Sequence, residues 1–193
     1  MTFTSVNPHD PSDVLGEWQP AGPAEAEAAV SRAVTAAAAW RETPAPARAK
    51  ALSDAAGALE QRSAEITSLV VREVGKPVSE ARGEVARGVA ILRYYAQAAL
   101  LPDGETIPAA ATDQLLMARH VPIGVAALIT PWNFPVAIPL WKAAPSLAYG
   151  NATILKPASA AAATGLALAE ILGAFLRPAP SRSCLGVRRR PVP

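Results

Sequence analysis

The 193-residue chain is predicted to be an α/β protein built around a short parallel sheet. Three observations predict this. Residues 125–130 form a continuous apolar run of strand length, the pattern of a strand buried on both faces. A helical pattern over 136–149 follows, closed by Gly150-Asn151, and then a second short strand over 152–155. A last amphipathic pattern, 164–176, sets Leu168, Ile171, Leu172 and Phe175 along one side. Strand, helix, strand and helix in that order imply parallel pairing with a right-handed crossover.

The elements upstream read as follows. Residues 3–19 alternate weakly around Asn7-Pro8 and Asp10-Pro11, which suggests short extended segments joined by a turn. A helix starts at Gly22-Pro23-Ala24-Glu25, with proline at a tolerated first position and Glu25 and Glu27 near the positive end of the dipole. It runs to about Trp40, where Thr43-Pro44-Ala45-Pro46 breaks it. A second helix covers 48–61, with Leu52, Ala55 and Leu59 on one face. Ser63 caps a third, which carries Ile66, Leu69, Val70 and Val74 and stops at Gly75-Lys76-Pro77. A fourth spans 80–100 with Val85, Val89, Leu92 and Ala96 in register. After Pro102-Asp103-Gly104 the apolar residues Ile107, Leu115, Met117 and Val121 fit a two-stranded ribbon over 104–122.

Half the residues are apolar and 18% are charged, so a globular chain with a sizeable core is expected and wholesale disorder is not. The net charge of +2 misleads. Residues 178–193 hold four arginines and no acid, which leaves 14 basic residues against 16 acidic ones elsewhere. The main body is therefore not a basic protein seeking acidic partners. One cysteine, Cys184, excludes an internal disulfide and a multi-cysteine metal site, and His9 and His120 stand alone. No charged start followed by an apolar core opens the chain, so no secretory signal is read. Residues 121–141 lack charge but contain Pro122, Pro131, Pro135 and Pro139, which would break a spanning helix. A soluble, cytoplasmic protein with no membrane partner is expected. The tail from Arg177 onward is aperiodic, with four prolines and an arginine triplet, and reads as a disordered, anomalous segment over 178–193. No aromatic residue is interleaved with its arginines, so no nucleic-acid partner is predicted.

The most informative stretch is 124–159. It places Asn133 at the mouth of a strand-to-helix turn and Lys156 at the end of the next strand, positions where α/β folds bind ligands. Three blocks in order, Ile129-Thr130-Pro131-Trp132-Asn133-Phe134-Pro135, then Trp141-Lys142-Ala143-Ala144-Pro145-Ser146-Leu147-Ala148-Tyr149-Gly150-Asn151, then Ile154-Leu155-Lys156-Pro157-Ala158-Ser159, resemble the aldehyde dehydrogenase superfamily. Asn7-Pro8, Trp40-Arg41, Glu73-Val74-Gly75-Lys76-Pro77 and Gly104-Glu105-Thr106 add support, and the likeness covers about residues 3–176. Tyr94-Tyr95-Ala96, Gly104-Glu105-Thr106-Ile107-Pro108 and Ala148-Tyr149-Gly150-Asn151 look closest to semialdehyde dehydrogenases, such as the 2-oxoglutarate semialdehyde enzymes.

The resemblance implies an incomplete Rossmann-like cofactor-binding domain of the aldehyde dehydrogenase fold, made of 1–103 and 123–177 with N-terminal helices, and a β-ribbon oligomerisation arm over 104–122. It implies an oligomeric oxidoreductase that converts an aldehyde to an acid with NAD or NADP. In that family a cysteine thiolate attacks the aldehyde, the thiohemiacetal passes hydride to the nicotinamide, and glutamate-activated water releases the acid. Asn133 would donate its side-chain amide to the oxyanion, where a preorganised neutral donor is worth about 3–4 kcal/mol; the plainer alternative is a turn residue bonding local backbone. Ile129, Thr130, Pro131 and Trp132 would line the cofactor trough, with ordinary core packing as the alternative. Lys156, Ala158 and Ser159 would meet the adenosine end, Lys156 reaching the ribose hydroxyls or a 2′-phosphate. Many NAD-preferring relatives carry glutamate where Ser159 stands. Serine removes its repulsion and can donate to a phosphate, so NADP is expected to be tolerated beside NAD.

The pattern also departs from the family. The nucleophilic cysteine and general-base glutamate belong to segments beyond the matching region, and Cys184 has no neighbouring base to activate it. A frameshift or premature end near 175–178 is the simplest reading, and the chain alone is expected to be inactive. A non-catalytic remnant acting as an oligomerisation or binding partner through 104–122 is the alternative. With few strands in its sheet, the chain is expected to expose apolar surface and unpaired backbone.

Overall fold

In the computed structural model, which describes residues 2–176 and 187–189, the chain opens as an antiparallel hairpin of β1 (Phe3–Asn7) and β2 (Asp10–Pro20). The reversal is made by two short side chains. Asn7 Oδ1 accepts from the His9 amide at 3.0 Å and Asp10 Oδ1 from the Ser12 amide at 3.1 Å, the local bonding that turns favour. Phe3 pairs with Trp18, which is buried and stacks on it at 5.9 Å.

Four helices follow: α1 (Pro23–Arg41), α2 (Ala45–Gln61), α3 (Ser63–Val74) and α4 (Val78–Ala98). Three of these helices differ from the sequence expectation, α4 by running Val78–Ala98 in place of 80–100. Helix α2 starts three residues earlier than predicted, because Pro46 falls in the first turn, where no intrahelical N–H bond is needed. Ser63 does not cap α3 but is its first residue. The Arg62 amide still bonds the Ala58 carbonyl at 3.1 Å, so the chain enters α3 in a near-helical conformation that leaves no capping geometry for the Ser63 hydroxyl. Helix α3 ends on Gly75, whose φ of 68° is left-handed and which closes the helix onto the Val71 carbonyl at 3.0 Å.

A two-stranded ribbon, β3 (Gly104–Ile107) and β4 (Leu116–Arg119), projects next, with an Asp103–Arg119 ion pair of 2.6 Å at its base. Then come β5 (Val125–Ile129), α5 (Ala137–Ala148), β6 (Ala152–Lys156), a 3₁₀ turn over Ser159–Ala161 and α6 (Ala162–Phe175). Strands β5 and β6 pair in parallel, as the order of elements predicts. A short strand β7 (Val187–Arg189) lies antiparallel to the end of β2; the remaining tail from 177, Cys184 included, is outside the described residues.

The core lies where α2, α4, α5 and α6 meet, around Leu52, Leu59, Leu92, Leu140 and Leu168. Ala126, Leu128 and Leu155 point from the parallel strands into it. The opposite face of the same strands carries Val125 and Ile154 against Ala29 and Ala33 of α1. Strand β5 is nevertheless not buried on both faces, contrary to the reading of its apolar run. Leu128 is its one buried residue, and Ile129 is 72% exposed. Among the described residues β6 is the only partner of β5, and α1 covers only the beginning of its outer face. The predicted exposure of apolar surface at this sheet is therefore present.

Candidate active site

Parallel pairing brings the predicted site residues to one end of the sheet. Ile129 stands opposite Lys156 in the register, and the Thr130 amide donates to the Lys156 carbonyl at 3.2 Å. Ile129, Thr130, Pro131, Trp132 and Asn133 thus leave β5 beside Lys156, Ala158 and Ser159 leaving β6. These are the carboxyl ends of parallel strands, where open α/β sheets receive ligands. Thr130 is the exception within the set. It is buried, and its hydroxyl makes no hydrogen bond among the described residues, so Oγ1 is not presented to the surface beside Lys156. An open cleft of about 400 Å³ between α1 and the start of β5 lies toward the other end of the strands and includes none of these residues.

Residues 131–134 are exposed, and the Asn133 side-chain amide makes no hydrogen bond among the described residues. It therefore does not perform the local turn bonding that asparagine commonly does. Its backbone, by contrast, is held. Lys76 Nζ donates to the Asn133 carbonyl at 2.8 Å, pairs with Glu84, and lies 4.2 Å from the centre of the Phe134 ring. Glu84 Oε1 accepts from the Val136 amide at 2.8 Å and the Ala137 amide at 3.0 Å, so a carboxylate from α4 caps the start of α5. The far end of α5 is also held by the N-terminal helices. Trp40 Nε1 donates to the Leu147 carbonyl at 2.8 Å, and Arg48 Nε to the Ala148 carbonyl at 2.9 Å.

Helix α6 is capped the same way. Glu73, buried at the end of α3, accepts from the Ala163 amide at 2.7 Å and from the Thr164 amide and hydroxyl at 2.8 and 2.7 Å. It also accepts from the Ser5 hydroxyl at 3.2 Å, which ties the first hairpin to α3 and α6. Burial pushes the Glu73 carboxyl above the ordinary carboxylate range, and these donors pull it part of the way back. Both helix N-termini next to the site are thus filled by internal carboxylates. What the site offers a ligand is Lys156, whose ammonium touches only the Pro157 carbonyl at 3.4 Å, and the exposed Ser159, whose hydroxyl is unengaged among the described residues.

Sequence reasoning did not identify Glu73, Lys76 and Glu84 as parts of the site. Glu73 and Lys76 were visible only as members of a supporting motif. A usable signal existed for Glu84: it falls three residues after Ala81 and four before Gly88, so it occupies the buried face of α4 where a charge needs a partner.

The aldehyde dehydrogenase family model matches residues 1–180. The chain belongs to the aldehyde dehydrogenase family. The α-ketoglutaric semialdehyde dehydrogenase of Bacillus subtilis is 44% identical over 169 residues, covering 88% of this chain and 34% of that enzyme. The NADP-dependent glyceraldehyde-3-phosphate dehydrogenase of Bacillus halodurans, solved with NADP, superposes with a TM-score of 0.86 at 29% identity over 96% of this chain and 39% of its own. A 1-pyrroline-5-carboxylate dehydrogenase from Thermus, solved with NAD, gives 0.85 at 37% identity over 93% of this chain and 35% of its own. The chain spans about a third of the length of the curated relatives it matches. Among the described residues no helix is long and apolar enough to cross a membrane.

Proposed function

We propose that this chain supplies the oxyanion-stabilising and adenosine-binding part of an NAD(P)-dependent aldehyde dehydrogenase that oxidises a semialdehyde to its acid in the cytoplasm. The observation that supports this best is Asn133: a side-chain amide free of local bonds on a backbone held in place by a nearly buried lysine. An amide donates without titrating, which suits a developing alkoxide near neutral pH. The thiolate nucleophile must come from outside the described residues, which contain no cysteine. Turnover by the 193-residue chain alone is not expected.

The donor set at the end of β6 fits a dinucleotide. Among the described residues no carboxylate engages the Lys156 ammonium or the Ser159 hydroxyl, chemistry that suits ribose hydroxyls and tolerates a 2′-phosphate. When bound, the nicotinamide supplies the hydride acceptor. The semialdehyde class is supported by the identity to the Bacillus subtilis enzyme and by the stretches around Tyr94, Gly104 and Ala148.

A chimera tests the reading: residues 2–176 replace the matching segment of the Bacillus subtilis enzyme, and aldehyde-dependent reduction of NAD and NADP is followed. Activity is expected with both dinucleotides. Asn133→Ala is expected to lower kcat about 100- to 1,000-fold, and Ser159→Glu to depress the NADP reaction selectively. A folded chimera that reduces neither dinucleotide would sink the proposal.

A second role is supported by the ribbon. Both strands are almost wholly exposed, with Ile107, Leu115, Leu116 and Met117 in the open, and an isolated two-stranded hairpin is marginal in water. We assign residues 104–122 to contact with another copy of the chain.

A further inference from the structure

We infer that Lys76 and Glu84 are positioning residues for Asn133: one ion pair, anchored outside the parallel sheet, sets the backbone of residues 133–137 and so aims the free amide. The inference rests on the oxyanion reading above. Lys76 Nζ binds the Asn133 carbonyl at 2.8 Å and sits 4.2 Å from the centre of the Phe134 ring. Its partner Glu84 holds the Val136 and Ala137 amides at 2.8 and 3.0 Å through the oxygen not shared with Lys76. Two side chains therefore contact four of five consecutive residues.

Neither touches the Asn133 amide, so whatever they do to it passes through the main chain. The Lys76 and Glu84 side chains are only 11% and 1% exposed, and water competes little for these charge-assisted bonds. Pro135, Val136 and Ala137 are buried in the core, whereas Asn133 and Phe134 lie at the surface, so the exposed end of the segment is where the lysine matters most. Lys76 is itself presented by rigid neighbours, Gly75 in the left-handed region and Pro77 at the cap of α4. A donor for a developing alkoxide has to be placed to within about half an ångström, and a misplacement of about 1 Å can cost roughly 100-fold in rate. An exposed turn held at its main chain satisfies that requirement while leaving the amide free.

The test uses the full 193-residue chain first. Amide hydrogen exchange and backbone 15N relaxation are measured by NMR for wild type, Lys76→Met and Glu84→Gln. Lys76→Met is expected to raise the ps–ns mobility of the Asn133 and Phe134 amides, which make no hydrogen bond among the described residues, and to speed exchange at the Val136 and Ala137 amides by roughly 10- to 100-fold, while core amides such as those of Leu59 and Leu92 keep their protection. Glu84→Gln retains an acceptor for the Val136 and Ala137 amides but not the charge that fixes Lys76. It should loosen Asn133 while leaving the start of α5 protected, and it decides the matter should Lys76→Met fail to fold. In the chimera, Lys76→Met is expected to lower kcat about 100-fold with little change in the KM for the dinucleotide, and Lys76→Arg to restore part of it. Unchanged mobility at Asn133 and Phe134, or loosening only in step with the whole core, overturns the inference. A chimera that is inactive before any substitution counts against the proposed function alone, and the NMR data still decide the positioning role.

Discussion

Glu73 and Asp13 show how single carboxyls connect the hairpin and helices of this chain, and they do so with opposite pH signs. Asp13 accepts from Arg72 Nε at 2.8 Å and from Asn7 at 3.1 Å, and these bonds, led by Arg72, lower its carboxyl from 3.8 to about 2. A depressed acid contributes stability that is complete above its unfolded value and is lost as pH falls toward the folded one. Asp13→Asn is therefore expected to flatten the fall in Tm between pH 3.8 and about 2. Glu73 is raised above its ordinary 4.5 by burial. Its contribution is complete below 4.5 and declines as pH rises through the folded value, so the Tm of Glu73→Gln relative to wild type should climb as pH is raised from 4.5. Thermal melts of both variants across that range check the two signs; parallel curves for variant and wild type would refute them.

At the scale of elements, the two helices that follow the parallel strands are located by partners outside the sheet. Helix α5 has Glu84 at its positive end and Trp40 and Arg48 at its carbonyl end, while α6 starts on Glu73. The approach of α6 to β6 is also set by one small residue. A Cβ on Gly165 would stand 2.6 Å from Pro157 Cβ and 2.7 Å from Pro157 Cγ, on a ring that cannot swing away. Gly165→Ala is expected to destabilise the chain by about 1–3 kcal/mol, read from chemical denaturation, because the helix must move off the strand to admit the methyl group. A cost within error of zero would show that α6 already has room to shift.

For the whole molecule, the three most exposed large apolar residues among those described lie in the ribbon, just before β5 and at the end of β5. Leu115 is 75% exposed, Ile123 84% and Ile129 72%, too much to be incidental in one small chain. Light scattering is expected to show concentration-dependent self-association. The pair Leu115→Lys and Met117→Lys should shift the chain toward monomer without changing its melting temperature, since neither residue touches the main core. If the variant associates as wild type does, the ribbon is not the contact.

What the sequence by itself determined follows from local chemistry. Apolar periodicity marked the helices, Gly75 and Gly150 marked helix ends, and the Pro131–Pro135 turn with Lys156 after the second strand marked the candidate site. Parallel pairing was expected from element order, because parallel neighbours need a crossover connection and a helix between two buried strands supplies one. Four features were decided only in the tertiary structure. The exposure of β5 depends on how many strands and helices reach it, which its own apolar run cannot report. The absence of a Ser63 cap depends on how α2 runs into α3. The grip on Asn133 joins residues 57 positions apart, and the cap of α6 joins residues 90 and 91 apart. Pattern within a window fixes which face of an element is apolar; which charge meets which helix end depends on long-range packing, and no window contains both partners.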